Sequence, residues 1–129
     1  MILFYINKPL MNKIYFLSSC STCHRILKTW NLNNNIKRID IKKHPLKELD
    51  LEELFTFSNS YESLFNKRAI LFREIKVKSK KTLEKDYKNL LLSHYSFLKR
   101  PVLLINNKLF IGNSKETVSN ALLEIKSLI

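Results

Sequence analysis

Residues 13–18, KIYFLS, form a short apolar and aromatic run behind one lysine, the pattern of a buried strand. The period then changes. Cys23, Ile26, Leu27 and Trp30 fall at i, i+3, i+4 and i+7, which is one face of a helix beginning near Cys20. IKRIDI, residues 36–41, alternates in part and reads as a second strand after the turn signal of Asn33, Asn34 and Asn35. The chain therefore opens as a β-α-β unit, with both cysteines at the junction between its first strand and its helix.

The middle of the chain has helical spacing. Asp50 stands three residues before Glu53 in a capping-box arrangement, Leu51, Leu54 and Phe55 make a core face, and Tyr61, Leu64 and Phe65 repeat it. KVKSKK, residues 76–81, reads as a solvated loop. After it Leu83, Tyr87, Leu90, Leu91 and Tyr95 supply another helical face, which the segment before Pro101 brings to an end. VLLI and LFI flank NNK, and Asn tolerates the positive φ of a tight turn, so residues 102–111 read as an antiparallel hairpin. Asn113 with Glu116 is expected to cap a last helix whose face is Val118, Ala121, Leu122 and Ile125. The order predicts an α/β class chain of thioredoxin-like fold. Its mixed four-stranded sheet carries a helical insertion between the βαβ and ββα halves.

Length makes this one domain, residues 1–129, with an N-terminal extension in residues 1–11 ahead of a domain that starts near Met11. The net charge of +12 invites an anionic partner. The lysines are nevertheless spread along the chain, and base bias in the coding DNA accounts for a composition rich in Asn and Ile with one Gly. No direct nucleic-acid partner is expected. No stretch approaches the roughly 18 apolar residues of a membrane span, and MILFYI lacks the charge and cleavage site of a secretory signal, so the expectation is a cytoplasmic monomer away from membranes.

Two cysteines are too few for a disulfide framework, which leaves Cys20 and Cys23 as a redox pair, half of a metal site, or two small buried residues. A structural zinc site needs four ligands, and only the scattered His24, His44 and His94 remain to complete one, so no metal is expected. Helix geometry favours the redox reading. Unpaired N–H groups and the positive end of the helix dipole stabilise a thiolate at Cys20, and thiols so placed have pKa values of about 3.5–7.5 rather than about 8.5. His24 and Arg25 lie in the same turn. Cys23 sits one turn later on the apolar face, which gives a nucleophile and a more buried resolving thiol. His94, at a helix C-terminus, and His44, before Pro45, are not expected to carry chemistry, and Trp30 is core.

KIYFLSSCSTCHRILKTW, YESLFNKRAILFREI and FLKRPVLLINNKLFIGNSKE together resemble the arsenate reductase (ArsC)-like proteins, including the Spx and YffB branches, over residues 12–126. The resemblance implies a thioredoxin-like fold with a helical insertion and a nucleophilic cysteine after strand one. It also implies a thiol oxidoreductase linked to glutathione or glutaredoxin, with no bound cofactor and a diffusible thiol as co-substrate. Cys20 matches the nucleophile, Arg100 and Pro101 match the RP before the third strand, and Arg68 matches the N-x-R of the YffB branch. The insertion arginine of arsenate reductases falls where Asn66 stands, and a further one where Gly112 stands, while Cys23 is serine in the glutaredoxin-dependent enzymes. A glutaredoxin-dependent arsenate reductase acting on an oxyanion is therefore the second reading, and an Spx-like redox-sensing regulator touching RNA polymerase the third. A planar guanidinium holds a carboxylate or oxyanion bidentately, so Arg68 and Arg100 are the expected substrate-binding pair, and Arg100 would also favour the thiolate. Pro101 is expected to be cis and to leave strand-edge backbone groups free beside Cys20 for an extended thiol peptide.

Overall fold

The computed structural model describes residues 11–78 and 82–128. Four strands, β1 (Lys13–Phe16), β2 (Lys37–Asp40), β3 (Val102–Ile105) and β4 (Lys108–Ile111), form one sheet in the order β2-β1-β3-β4. β1 pairs in parallel with β2 and antiparallel with β3, and β3 pairs antiparallel with β4. The parallel pair needs a crossover, which is α1 (Ser21–Trp30), and the antiparallel pair needs only a two-residue turn. Asn106 and Asn107 make that turn at φ 52° and 60°, both in the left-handed region a tight hairpin requires. Asn31 and Asn59 take the same region at the ends of α1 and of α2 (Glu48–Ser58), so asparagine fills the role that glycine usually has at helix C-termini.

Alternation along the strands sorts the core into two layers. Ile14, Leu103 and Ile105 pack with Ile26, Trp30, Ala121 and Ile125 from α1 and α5 (Lys115–Lys126) on one face. Tyr15 and Val102 point the other way, into a cluster with Leu51, Leu54, Leu64, Phe65 and Leu91. That second layer is the insertion: α2, α3 (Ile70–Lys78), α4 (Glu84–Ser93) and two short 3-10 turns, Glu62–Leu64 and Tyr95–Phe97. The expected α/β arrangement, a mixed sheet with helices inserted between its βαβ and ββα halves, is what the chain forms. Trp30 is core, and its Nε1–H donates to the Val118 carbonyl at 3.1 Å, fastening α1 to α5.

Several boundaries differ from the sequence pattern, each for a local reason. β1 ends at Phe16, because Leu17 and Ser18 enter a turn that the Cys20 amide closes on the Leu17 carbonyl at 3.0 Å. Asp50 is not an N-cap. It lies inside α2, where its Oδ2 accepts from the amide of Lys47, the actual cap residue, at 2.8 Å. Tyr61, Leu64 and Phe65 do not extend a helix; the segment makes a single 3-10 turn, held by the Glu84 carboxylate, which accepts from the Tyr61 and Glu62 amides at 2.7 and 3.0 Å. The first half of KVKSKK is the end of α3 rather than loop, while residues 79–81, like the expected extension in residues 1–10, lie outside the described residues. His94 stands at a helix C-terminus as expected, as the C-cap residue of α4, and its ring nitrogen also accepts from the Ser96 amide at 3.1 Å to open the second 3-10 turn.

Ser114, one residue after the expected Asn113, caps α5 by accepting from the Thr117 amide at 3.1 Å. Ser114→Ala is expected to lower the unfolding free energy by about 1 kcal/mol, measured by urea denaturation, since it removes the side-chain acceptor that caps that helix start.

Candidate functional site

The site is built where two loops of the insertion half meet the mouth of α1. Phe65 and Leu98 form an isolated antiparallel bridge, the Asn66 amide donates to the Phe97 carbonyl at 2.7 Å, and the Lys99 amide donates to the Leu64 carbonyl at 2.8 Å. These three contacts bolt the 62–68 segment to the 97–100 segment. Asn66 Oδ1 then accepts from the Arg68 amide at 3.1 Å, an Asx turn that directs the chain back toward the cleft. The result is a cleft of about 880 Å³. Cys20 and Arg100 lie in it with Lys67 and Arg68 on one wall and Gly112 and Ser114 on another.

Cys20 is half-buried and is the N-cap residue of α1, in extended backbone at φ −94° and ψ 114°, with no side-chain cap hydrogen bond. Burial pushes its pKa up. The amide and thiol of Cys23 and the guanidinium of Arg100 oppose that and win, so the net shift is downward from the ordinary thiol value. Cys23 is fully buried, and burial pushes its thiol up to about 11, with the charge of Cys20 adding to the rise and the Leu17 amide and Arg100 opposing it. The two sulfurs are thus unlike, as their places on the helix imply. Both are free thiols.

Arg100 is half-buried. Its Nη1–H donates to the Leu98 carbonyl at 3.3 Å, and its Nε–H is buried without a protein partner among the described residues. Arg68 is exposed on the wall. Pro101, in contrast, is buried and does not line the cleft; the Arg100–Pro101 bond is cis. Its carbonyl accepts from the Gly112 amide at 2.9 Å, so this group belongs to the β3–β4 hairpin and is not free to pair with a peptide. His24 does not face the sulfur; its Nε2 is a hydrogen-bond partner of the Ser18 carbonyl. Lys67 pairs with Glu62 across the rim, and Lys99 supplies a cation that the sequence pattern did not single out, although its place beside Arg100 was a signal. Among the described residues no three His, Cys, Asp or Glu side chains group as a metal site, and no helix is long and apolar enough to cross a membrane.

The family pattern of ArsC matches residues 15–121, which takes in the cleft and both halves of the sheet. The chain belongs to the ArsC family. Among curated protein sequences none matches it. Solved structures do. A YffB protein superposes with a TM-score of 0.69 at 19% identity, over 86% of this chain and 98% of its own. An arsenate reductase (ArsC) related protein from Brucella melitensis gives 0.65 at 23%, over 86% and 93%. A protein of Streptococcus mutans described as a possible arsenate reductase gives 0.61 at 26%, over 81% and 92%. This ArsC-family chain therefore shares a thioredoxin-like frame with them along nearly all of their lengths.

Proposed function

We propose that this chain is a thiol–disulfide oxidoreductase in which Cys20 is the nucleophile and glutathione, glutaredoxin or another anionic thiol is the reductant. The observation that carries the reading is the Cys20 sulfur itself: half-exposed in a cationic cleft, with the Cys23 amide and the Arg100 guanidinium lowering its pKa. The Cys20 thiolate attacks one sulfur of a substrate disulfide, forming a mixed disulfide and expelling the other sulfur as a thiolate. Arg68 and Arg100 hold the carboxylates of the substrate or of the incoming thiol.

The pair then has a built-in sequence of events. While Cys20 is ionised, its charge helps to keep Cys23 protonated. Once Cys20 is tied up in a mixed disulfide that charge is gone, and Cys23 becomes more acidic at the moment when a resolving thiolate is needed. Its attack on Cys20 Sγ releases the substrate thiol and leaves a Cys20–Cys23 disulfide, which two external thiols reduce while forming their own disulfide. Direct attack on the mixed disulfide by glutathione is the alternative exit, and both exits consume the same two electrons. The reducing cytoplasm is the compartment that supplies such thiols.

The same two arginines beside a thiolate favour a second reading, arsenate reduction, in which the oxyanion takes the place of the disulfide. Alkylation of the native protein against pH, with peptide mapping, tests the shared premise. Cys20 is expected to be labelled at a rate that stays on its plateau below the ordinary thiol range and falls only as pH drops through its lowered pKa, while Cys23 stays unlabelled below about pH 9. Labelling of Cys20 that begins only near pH 8.5 would sink both readings. Turnover of glutathione mixed disulfides without arsenate turnover selects the first.

A further inference from the structure

The turn that delivers Cys20 to the cleft is held at one residue, Ser18, from two directions. The ladder between β1 and β2 ends where the Ile41 amide donates to the Phe16 carbonyl at 2.9 Å. Beyond that point the chain leaves the sheet and the amide of Ser18 has no strand to pair with. It donates instead to Oδ1 of Asp40, at 3.4 Å, and the same oxygen accepts from the Lys42 amide at 3.2 Å. On the other side, the Ser18 carbonyl is partnered by Nε2 of His24 from the first turn of α1. Cys20 lies two residues on, its amide closing the turn on Leu17 and its carbonyl accepting from the His24 amide at 3.2 Å.

Asp40 is an unusual residue to find there. Among the described residues it is the one charged side chain that is buried, at 8% exposure, and it sits directly opposite Phe16 in the sheet. Burying a carboxylate is costly unless something inside needs it as an acceptor. What needs it is the unpaired amide of the nucleophile's own turn. The Ser18 side chain is the largest influence lowering its carboxyl pKa, with the Lys42 and Ser18 amides and the charge of Lys43 adding to it against burial, so the acceptor is ionised at neutral pH.

We propose that Asp40 is the positioning residue for the nucleophile: from the end of β2 it fixes Ser18, and through the 17–20 turn keeps the Cys20 sulfur facing the Cys23 amide and Arg100. This rests on the reading of Cys20 as the reactive thiol, and it adds a residue that touches neither substrate nor sulfur. Two effects of removing the carboxylate have opposite signs, which makes the role measurable. Loss of a negative charge alone would make the Cys20 thiolate easier to form. Loss of position takes the sulfur away from its donors and makes the thiolate harder to form.

The experiment is alkylation of Cys20 against pH in the full chain, for the native protein, Asp40→Leu, Asp40→Ala and Asp40→Asn. Leu fills the buried volume without an acceptor, and Asn keeps an acceptor without the charge. Asp40→Leu and Asp40→Ala are expected to raise the Cys20 midpoint by about one pH unit, slowing labelling about tenfold below both midpoints. Asp40→Asn is expected to keep the native midpoint or lower it slightly. A folded Asp40→Leu protein with a midpoint at or below the native one overturns the proposal, as does failure of Asn to restore what Leu removes. Hydrogen exchange at the Ser18 amide of the unaltered protein gives a check independent of any variant: protection is expected, and exchange at the free-chain rate overturns the clamp. An ordinary thiol midpoint in the native protein is a separate outcome, because it removes the nucleophile assignment first and the positioning role with it.

Discussion

Cys20→Ser is expected to abolish the proposed thiol–disulfide turnover, with a fall on the order of 10³-fold or more, and to leave the protein at least as stable as before. The first half follows from chemistry. A serine hydroxyl at the same place is not ionised at neutral pH, and the histidine in the same turn, His24, is engaged with the Ser18 carbonyl. The second half follows from the helix. Position 20 is the N-cap of α1, yet cysteine makes no side-chain cap there. Serine is among the preferred N-cap residues, so the substitution supplies an acceptor for the first-turn amides and is expected to add up to about 1 kcal/mol to the unfolding free energy. Thiol titration, a mixed-disulfide turnover assay and urea denaturation on the same preparation measure all three quantities. Loss of activity with a gain in stability would show that the local helix rule is broken here for the sake of the sulfur; retained turnover would remove Cys20 from the mechanism.

That same conflict explains which parts of the molecule could be read from the chain. Wherever one local rule dominates, the pattern was legible. The change from strand period to helix period at Ser18 placed Cys20 at a helix mouth, and the NN pair placed the hairpin turn, because each depends on neighbours a few residues away. Element ends were less legible because they depend on which competing acceptor wins, as when Lys47 rather than Asp50 takes the cap position of α2. The cleft was not legible as an object. It exists because segments about thirty residues apart, 64–66 and 97–99, exchange backbone hydrogen bonds, and nothing in either segment names the other. Arg68 and Arg100 emerged as a pair through family resemblance, and the structure brings both to the cleft that holds Cys20. Asp40 passed as an ordinary strand residue, since its partner lies 22 positions away and its burial is a property of the folded sheet.

Phe65→Ala has the largest expected effect on the fold, and the effect extends to the site. Phe65 is fully buried, and its ring meets three others: stacked on Phe97 at 5.2 Å between centroids, edge-on to Phe72 at 4.8 Å and tilted against Tyr87 at 4.8 Å. It is therefore the point where α3, α4, the second 3-10 turn and the cleft wall converge. Removing such a ring costs about 3–5 kcal/mol, the transfer term plus the cavity left among aromatics that cannot collapse together. Against a total stability of about 5–15 kcal/mol for a domain, that is a large share. Phe65→Leu, which keeps most of the volume, is expected to lose under about 1.5 kcal/mol. The functional consequence should separate the two parts of the cleft. The backbone of Phe65 bridges Leu98 and so carries the wall with Arg68, whereas the Cys20 thiolate depends on Cys23 and Arg100. In the surviving folded fraction, KM for an anionic thiol should therefore rise more steeply than the Cys20 alkylation rate falls. Equal losses in both would mean that wall and nucleophile form one cooperative unit, and a stability loss under about 1 kcal/mol would mean that the aromatic cluster does not hold the insertion in place.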